Sequence, residues 1–170
     1  MRRVLIVGRS GGGKSTLARR LGAATGLPVI HLDRLFWKPG WVVSTTGELQ
    51  ARLDPLLAGE GWITDGNYLG TIGSRLPYAD TVVLVRMPLW ICLWRIARRT
   101  LTQWGRVRPD MGEGCPERFD LEFLRYVWNF DRDRMPGVEA ALADFAGELV
   151  VLDSPRAMEA WIRSIERGQG

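Results

Sequence analysis

Lysine is almost absent from this chain: of 23 basic residues in 170, only Lys14 and Lys38 are lysines and the other 21 are arginines. Cysteine is nearly as scarce. Cys92 and Cys115 are too few, and too unlike in their settings, for a disulfide framework or a zinc site, so reduced thiols and a cytoplasmic setting are expected. No apolar run approaches the roughly 20 residues of a membrane span. Met1-Arg2-Arg3 leads straight into an apolar segment and leaves no room for a signal peptide. Internal repeats and low-complexity segments are missing too. What remains, 46% hydrophobic and 25% charged residues, is the composition of one soluble globular domain spanning 1–170. A net charge of +4 and a pI near 9.6 suit a phosphorylated ligand or nucleic acid without choosing between them.

One of the two lysines stands in the most informative stretch. Gly8-Arg9-Ser10-Gly11-Gly12-Gly13-Lys14-Ser15 fits G-x-x-x-x-G-K-[ST], between the apolar run Val4–Val7 and a helical pattern. A shuffled chain of this composition would contain that pattern in roughly 0.2% of cases, and the strand-loop-helix context adds weight. Glycines let the backbone wrap an oligophosphate with its N–H groups inward, and the following helix adds its positive dipole end. Gly8, Ser10, Gly11, Gly12, Gly13, Lys14, Ser15 and Thr16 are therefore the nucleotide-binding candidates. Lys14 is assigned to the β and γ phosphates and the Ser15 hydroxyl to Mg²⁺.

Further along, Leu17, Ala18 and Leu21 repeat at helical spacing until Gly22 and Gly26. Short apolar runs at 29–32, 62–64, 81–86 and 148–153 read as four more strands. Helices are expected from Ser44 or Thr46 to Leu57 with a bend at Pro55, and over 89–101, 119–130 and 138–146. A last helix runs from Ser154-Pro155 to a frayed Gly168-Gln169-Gly170 tail. The Gly- and Pro-punctuated stretch 104–118 reads as a mobile basic lid. Five strands alternating with helices predict an α/β fold, a parallel sheet with helices on both faces. Its ligand would lie beyond the strand ends at Gly8, Asp33, Asp65, Arg86 and Asp153.

Phosphoryl transfer requires positioning, a metal and cationic clamps. Asp65 is the candidate Mg²⁺ ligand, against a turn-capping role, and Asp33 the candidate acceptor of a hydroxyl proton. Arg95, Arg98 and Arg99 share one helix face. Arg95 and Arg99 are favoured as clamps on the γ phosphate, against a solvated basic face. Arg132 and Arg134 are weaker candidates of the same kind. His31, the one histidine, reads as a satisfied strand residue, and most of the tryptophans read as core. Asn67 and Tyr68 would line the acceptor side, or only shape the turn.

The loop 8–15, His31-Leu32-Asp33, Phe36-Trp37-Lys38-Pro39-Gly40-Trp41, Asp65-Gly66-Asn67-Tyr68, Arg108-Pro109-Asp110-Met111 and Glu113-Gly114-Cys115-Pro116 together resemble the bacterial topology modulation, or FlaR-related, proteins. That family looks like a branch of the adenylate-kinase-like P-loop NTPases. The resemblance implies a three-layer sandwich, strand order 2-3-1-4-5, a lid after the fourth helix, and an adenine-contacting loop at Asp153–Arg156 that includes Arg156. Asn67-Tyr68-Leu69 follows Asp65-Gly66 where adenylate kinases have Phe-Pro-Arg, so the arginine for an acceptor monophosphate is missing. Arg34 and Arg75 are its candidate substitutes. The expected activity is an ATP- and Mg²⁺-dependent small kinase acting on a nucleotide or another small acceptor, as monomer or homodimer. The alternatives are a nucleotide-regulated DNA-binding protein and an NTPase with water as acceptor.

Overall fold

A computed structural model describes residues 1–168. Five parallel strands form one sheet: β1 (Arg3–Gly8), β2 (Val29–His31), β5 (Trp62–Asp65), β6 (Thr81–Val85) and β7 (Glu148–Leu152), in the order β2-β5-β1-β6-β7. Counted within this sheet alone, the order is the expected 2-3-1-4-5. The numbering jumps because Trp37–Lys38 (β3) and Val42–Val43 (β4) form a separate antiparallel hairpin, where the aromatic stretch 34–41 with its Pro39-Gly40 reads as a loop or short helix followed by a turn.

The central strands β1, β5 and β6 are buried on both faces, which explains why they read as unbroken apolar runs rather than alternating ones, while the edge strand β7 leaves Leu149 and Val151 exposed. Alternate side chains of β1 still divide between two cores. Val4 and Ile6 pack with Leu17 and Leu21 of α1 (Lys14–Thr25), Ile96 of α5 (Leu89–Thr102) and Ile162 of α9 (Pro155–Gly168). Leu5 and Val7 pack on the other face with Leu53 of α3 (Thr46–Leu57), Ile72 of α4 (Leu69–Arg75) and Leu142 of α8 (Met135–Leu142).

Several boundaries differ from expectation for local reasons. Helix α3 is capped by Thr45, neither Ser44 nor Thr46, because Thr45 and Glu48 close a reciprocal capping box: Glu48 N–H donates to Thr45 Oγ1 at 3.2 Å and Thr45 N–H to Glu48 Oε2 at 2.8 Å. Pro55 lies in its last turn, where the helix is already ending. The segment expected as one helix over 119–130 divides into α6 (Leu121–Trp128) and α7 (Phe130–Asp133), and the following helix starts three residues earlier than expected, at Met135. Asp33 is not a strand end but sits in the first turn of α2 (Leu32–Phe36). Residues 169 and 170 of the expected frayed tail lie outside the described residues. No helix among the described residues is long and apolar enough to cross a membrane.

Most of the tryptophans are not core. Trp62 is fully buried, but Trp90 and Trp94 on α5, Trp128 at the end of α6 and Trp104 in the turn after α5 are exposed.

Candidate active site

The C-terminal ends of β1, β2 and β5 open into a crevice of about 1020 Å³, lined on one side by the loop 10–16 and on the other by Asp33, Phe36, Trp37, Trp41 and Tyr68. Small-molecule pockets commonly enclose roughly 300–1,000 Å³, and this crevice stands at the upper end of that range.

Backbone geometry sets the loop. Gly8 has φ +136°, and a Cβ there would lie 2.1 Å from the Val85 carbonyl oxygen, so only glycine lets the loop leave the sheet. Gly13 has φ +97° and would meet Arg95 Nη1 at 3.2 Å if it carried a Cβ. Lys14 follows as the first residue of α1, and its Nζ donates to the Arg9 carbonyl at 3.1 Å. Burial holds the Lys14 ammonium below the ordinary lysine value, while Asp65 and Asp33 pull it back up. A desolvated ammonium facing two carboxylates gains a further stabilising partner when a phosphate enters.

Asp65 ends β5 with its side chain buried, and its Oδ2 lies 2.9 Å from His31 Nδ1, its register partner on β2. His31 is thereby satisfied, as expected. Asp33 accepts from the Tyr68 hydroxyl at 2.5 Å. Burial raises the Asp33 pKa and the Asp65 charge adds to this, against the Tyr68 hydrogen bond. Tyr68 sits at φ +36°, unfavourable for an aromatic residue. It is fixed by that hydrogen bond and by its ring packing on Phe36 at 4.7 Å. Phe36, Trp37 and Trp41 continue the aromatic wall with centroid spacings of 5.2 and 5.3 Å.

Three candidates have other employment. Asn67 is tied to the loop: its Oδ1 accepts from Gly8 N–H at 2.7 Å and its Nδ2 donates to Gly8 C=O at 2.8 Å. Arg75 is fully buried with no carboxylate partner, and donates to the carbonyls of Gly66, Asn67, Tyr68 and Thr71. It shapes the 66–68 turn from behind and does not reach the acceptor space. Arg34 is exposed on the outer side of α2, while its neighbours Asp33 and Phe36 face the crevice. Arg156, exposed in the first turn of α9, also lies outside the crevice wall, as does Asp153. Arg86 pairs with Glu139 away from the site at 3.1 Å.

Among the basic residues of α5, Arg95 and Arg99 line the crevice and Arg98 turns outward onto the Trp94 ring. Arg95 Nη1 donates to the Gly12 carbonyl at 2.9 Å. Arg99 is bound to Glu117 at 2.9 Å, and burial followed by the nearby Arg108 charge lowers its pKa. Thr16 borders the opening, exposed, with Arg19 beside it.

Two residues without an assigned role in the sequence analysis, Asp110 and Glu117, are buried under the loop 103–120. Arg108 bridges them at 2.8 and 3.1 Å. Burial pushes the Asp110 carboxyl up, but Arg108 and the Ser15 hydroxyl outweigh that and leave it below its ordinary value. The motif Arg108-Pro109-Asp110 was visible in the sequence, but its partner seven residues beyond Asp110 had no periodicity to reveal it.

The chain matches solved structures of kinases along nearly its whole length. A shikimate kinase from Acinetobacter baumannii aligns with a TM-score of 0.59 at 16% identity, over 97% of this chain and 90% of that one. The fold is that of the P-loop kinases. A gluconokinase from Sinorhizobium meliloti follows with a TM-score of 0.55 at 16% identity, covering 99% and 91%. A deoxyadenosine kinase from M. mycoides gives 0.52 at 15%, covering 97% of each chain. No family model and no curated protein matches, so the resemblance to the topology modulation proteins rests on the motifs quoted above.

Proposed function

We propose that the chain is a small cytoplasmic kinase that moves the γ phosphoryl group of ATP to a hydroxyl of a small acceptor. The observation that carries this reading is that one crevice holds both the Lys14 loop and the half-buried Asp33–Tyr68 pair.

The residues fit a magnesium nucleotide. The Ser15 hydroxyl and the Asp65 carboxylate are hard oxygen donors beside the loop, and the loop offers glycine backbone to an oligophosphate. When bound, Mg²⁺ would neutralise phosphate charge as it develops in transfer. Lys14 would release the Arg9 carbonyl and take the β and γ oxygens, with Arg95 and Arg99 facing the same phosphates from α5. Asp33 is the base: its raised pKa suits a group that takes a hydroxyl proton in transfer, and the Tyr68 hydroxyl orients its other oxygen. The segment at about 104–118 would act as the lid that excludes water from these groups.

With Arg75 engaged by backbone carbonyls and Arg34 outside the crevice wall, Arg134 is the cation left for an anionic acceptor. It lines the crevice beside Tyr126, with its guanidinium 5.8 Å from that ring, and forms no ion pair among the described residues. A nucleotide, or a hydroxylated acid like those named in the neighbouring shikimate kinase and gluconokinase, has the hydroxyl and anion this arrangement calls for. The DNA-binding reading is less favoured because Arg99 and Arg108 are engaged with Glu117 and Asp110, which removes them from a phosphate-backbone surface.

The test is ATP consumption against a panel of nucleosides, nucleoside monophosphates and hydroxy acids. One acceptor should raise turnover well above the rate in water. Lys14→Ala should abolish it, and Asp33→Asn should cut turnover by about 10²–10⁴ while leaving ATP affinity within twofold. An unchanged rate in either variant would refute the assignment.

A further inference from the structure

Helix α5 has two working faces. Arg95 and Arg99 reach the phosphate-loop side, while Cys92 and Ile96 are buried in the core. The remaining face carries Trp90, Trp94, Ala97 and Leu101, and at 3.6 residues per turn these fall within an arc of about 60°. They are not covered: Trp90 is 71%, Trp94 59% and Leu101 82% exposed. Trp104, in the turn after the helix, continues the series and is also exposed, and Trp128 shares a small hollow with Pro88 and Leu89 at the helix start.

The spacing identifies the occupant. Positions 90, 94, 97 and 101 step by four, three and four, the narrow seam by which one helix packs along another rather than the broader stripe that faces a core. This spacing reads the same in both directions. A two-fold axis midway between Trp94 and Ala97 therefore superposes the stripe on itself, running antiparallel. Trp90 meets Leu101 of the second copy, Trp94 meets its Ala97, and the small Ala97 lets the backbones approach at the crossing. Such self-complementarity is the requirement for an isologous dimer. The area is also adequate. At roughly 150–250 Å² per aromatic side chain, the exposed indoles of Trp90, Trp94 and Trp104 together with Leu101 offer roughly 500 Å² per chain, against the ~800 Å² each partner contributes to a standard interface and within the largest patches monomers leave uncovered.

We infer that two copies of this chain pair through α5, antiparallel about the midpoint between Trp94 and Ala97. The same helix that presents Arg95 and Arg99 to the phosphates is then braced from behind by its counterpart.

Sedimentation equilibrium at up to about 100 μM, in the range where interfaces of this size associate, should return twice the 19.1 kDa chain mass. Trp94→Glu with Leu101→Glu should raise the dissociation constant at least about 100-fold, since buried aromatic anchors carry most of an interface's energy. Both sites are exposed in the single chain, so far-ultraviolet circular dichroism and ATP affinity should stay at parent values. Ala97→Cys supplies an independent reading. Cys92 and Cys115 are buried, so a short bismaleimide should join two Ala97→Cys chains and should not join two Ala51→Cys chains, whose site on α3 is exposed away from the stripe. A parent chain at monomer mass overturns the inference, whether it stays in solution or floats with phosphatidylglycerol vesicles. A dimer that survives the double substitution, or that cross-links equally through Ala51→Cys, overturns it as well.

Discussion

Replacing Asn67 by alanine separates two roles that the sequence leaves open. Both ends of its amide engage the backbone of Gly8, at 2.7 and 2.8 Å, and Gly8 is the buried last residue of β1. Truncation leaves one buried donor and one buried acceptor without partners, each costing about 1–2 kcal/mol, or about 2–4 kcal/mol together. With a urea slope of about 2 kcal/mol/M, the unfolding midpoint should fall by about 1–2 M, which a domain of ordinary stability survives. Tryptophan fluorescence, with eight indoles to report, is a suitable probe. Asn67→Asp sharpens the test. Its carboxylate can accept from Gly8 N–H but cannot donate to Gly8 C=O, so near neutral pH it should be no more stable than the alanine variant. It should recover as acid protonates the carboxyl and restores a donor. A midpoint shift equivalent to less than about 0.5 kcal/mol, with a raised acceptor KM instead, would refute the clamp and return Asn67 to the substrate.

Two other predictions concern acid and the basic clamps. Glu48 has its pKa lowered from 4.5 to about 2, first by the Lys38 hydrogen bond and then by the capping box. A carboxyl lowered in this way contributes stability that is complete above its unfolded value and lost as pH falls towards 2. Parent stability should therefore decline across that window, and Glu48→Gln should flatten the decline in urea titrations. Arg95→Ala should lower kcat far more than it weakens ATP binding, whereas equal losses would make Arg95 a binding residue only.

What could be read beforehand follows from how locally each feature is encoded. The loop 8–15 and the five strands depend on glycine, lysine and apolar runs that are neighbours in sequence, and their positions agree with the structure, whereas the strand order, a long-range property, comes only from the family resemblance, with which it agrees. Arg75 was misassigned because its partners are backbone carbonyls, which no sequence pattern advertises. The exposed tryptophans were misassigned because composition counts aromatic residues without saying which helix face they occupy. Asp110 and Glu117 are joined through Arg108 inside an irregular loop, at spacings of two and nine residues that follow neither a helix nor a strand period.

The same loop ties two parts of the crevice together. Gly40 N–H donates to Gly114 C=O at 3.0 Å, Trp41 Nε1 to Pro116 C=O at 3.1 Å, and Cys115 Sγ to Lys38 C=O at 3.2 Å. The segment 104–118 is thus stitched to the β3–β4 hairpin beside the aromatic wall, so that under the proposed function lid and acceptor side would move together. For a transferase, such mechanical linkage favours simultaneous capture of both reactants, release of both products in one opening, and little futile loss of phosphate to solvent while only one reactant is aboard.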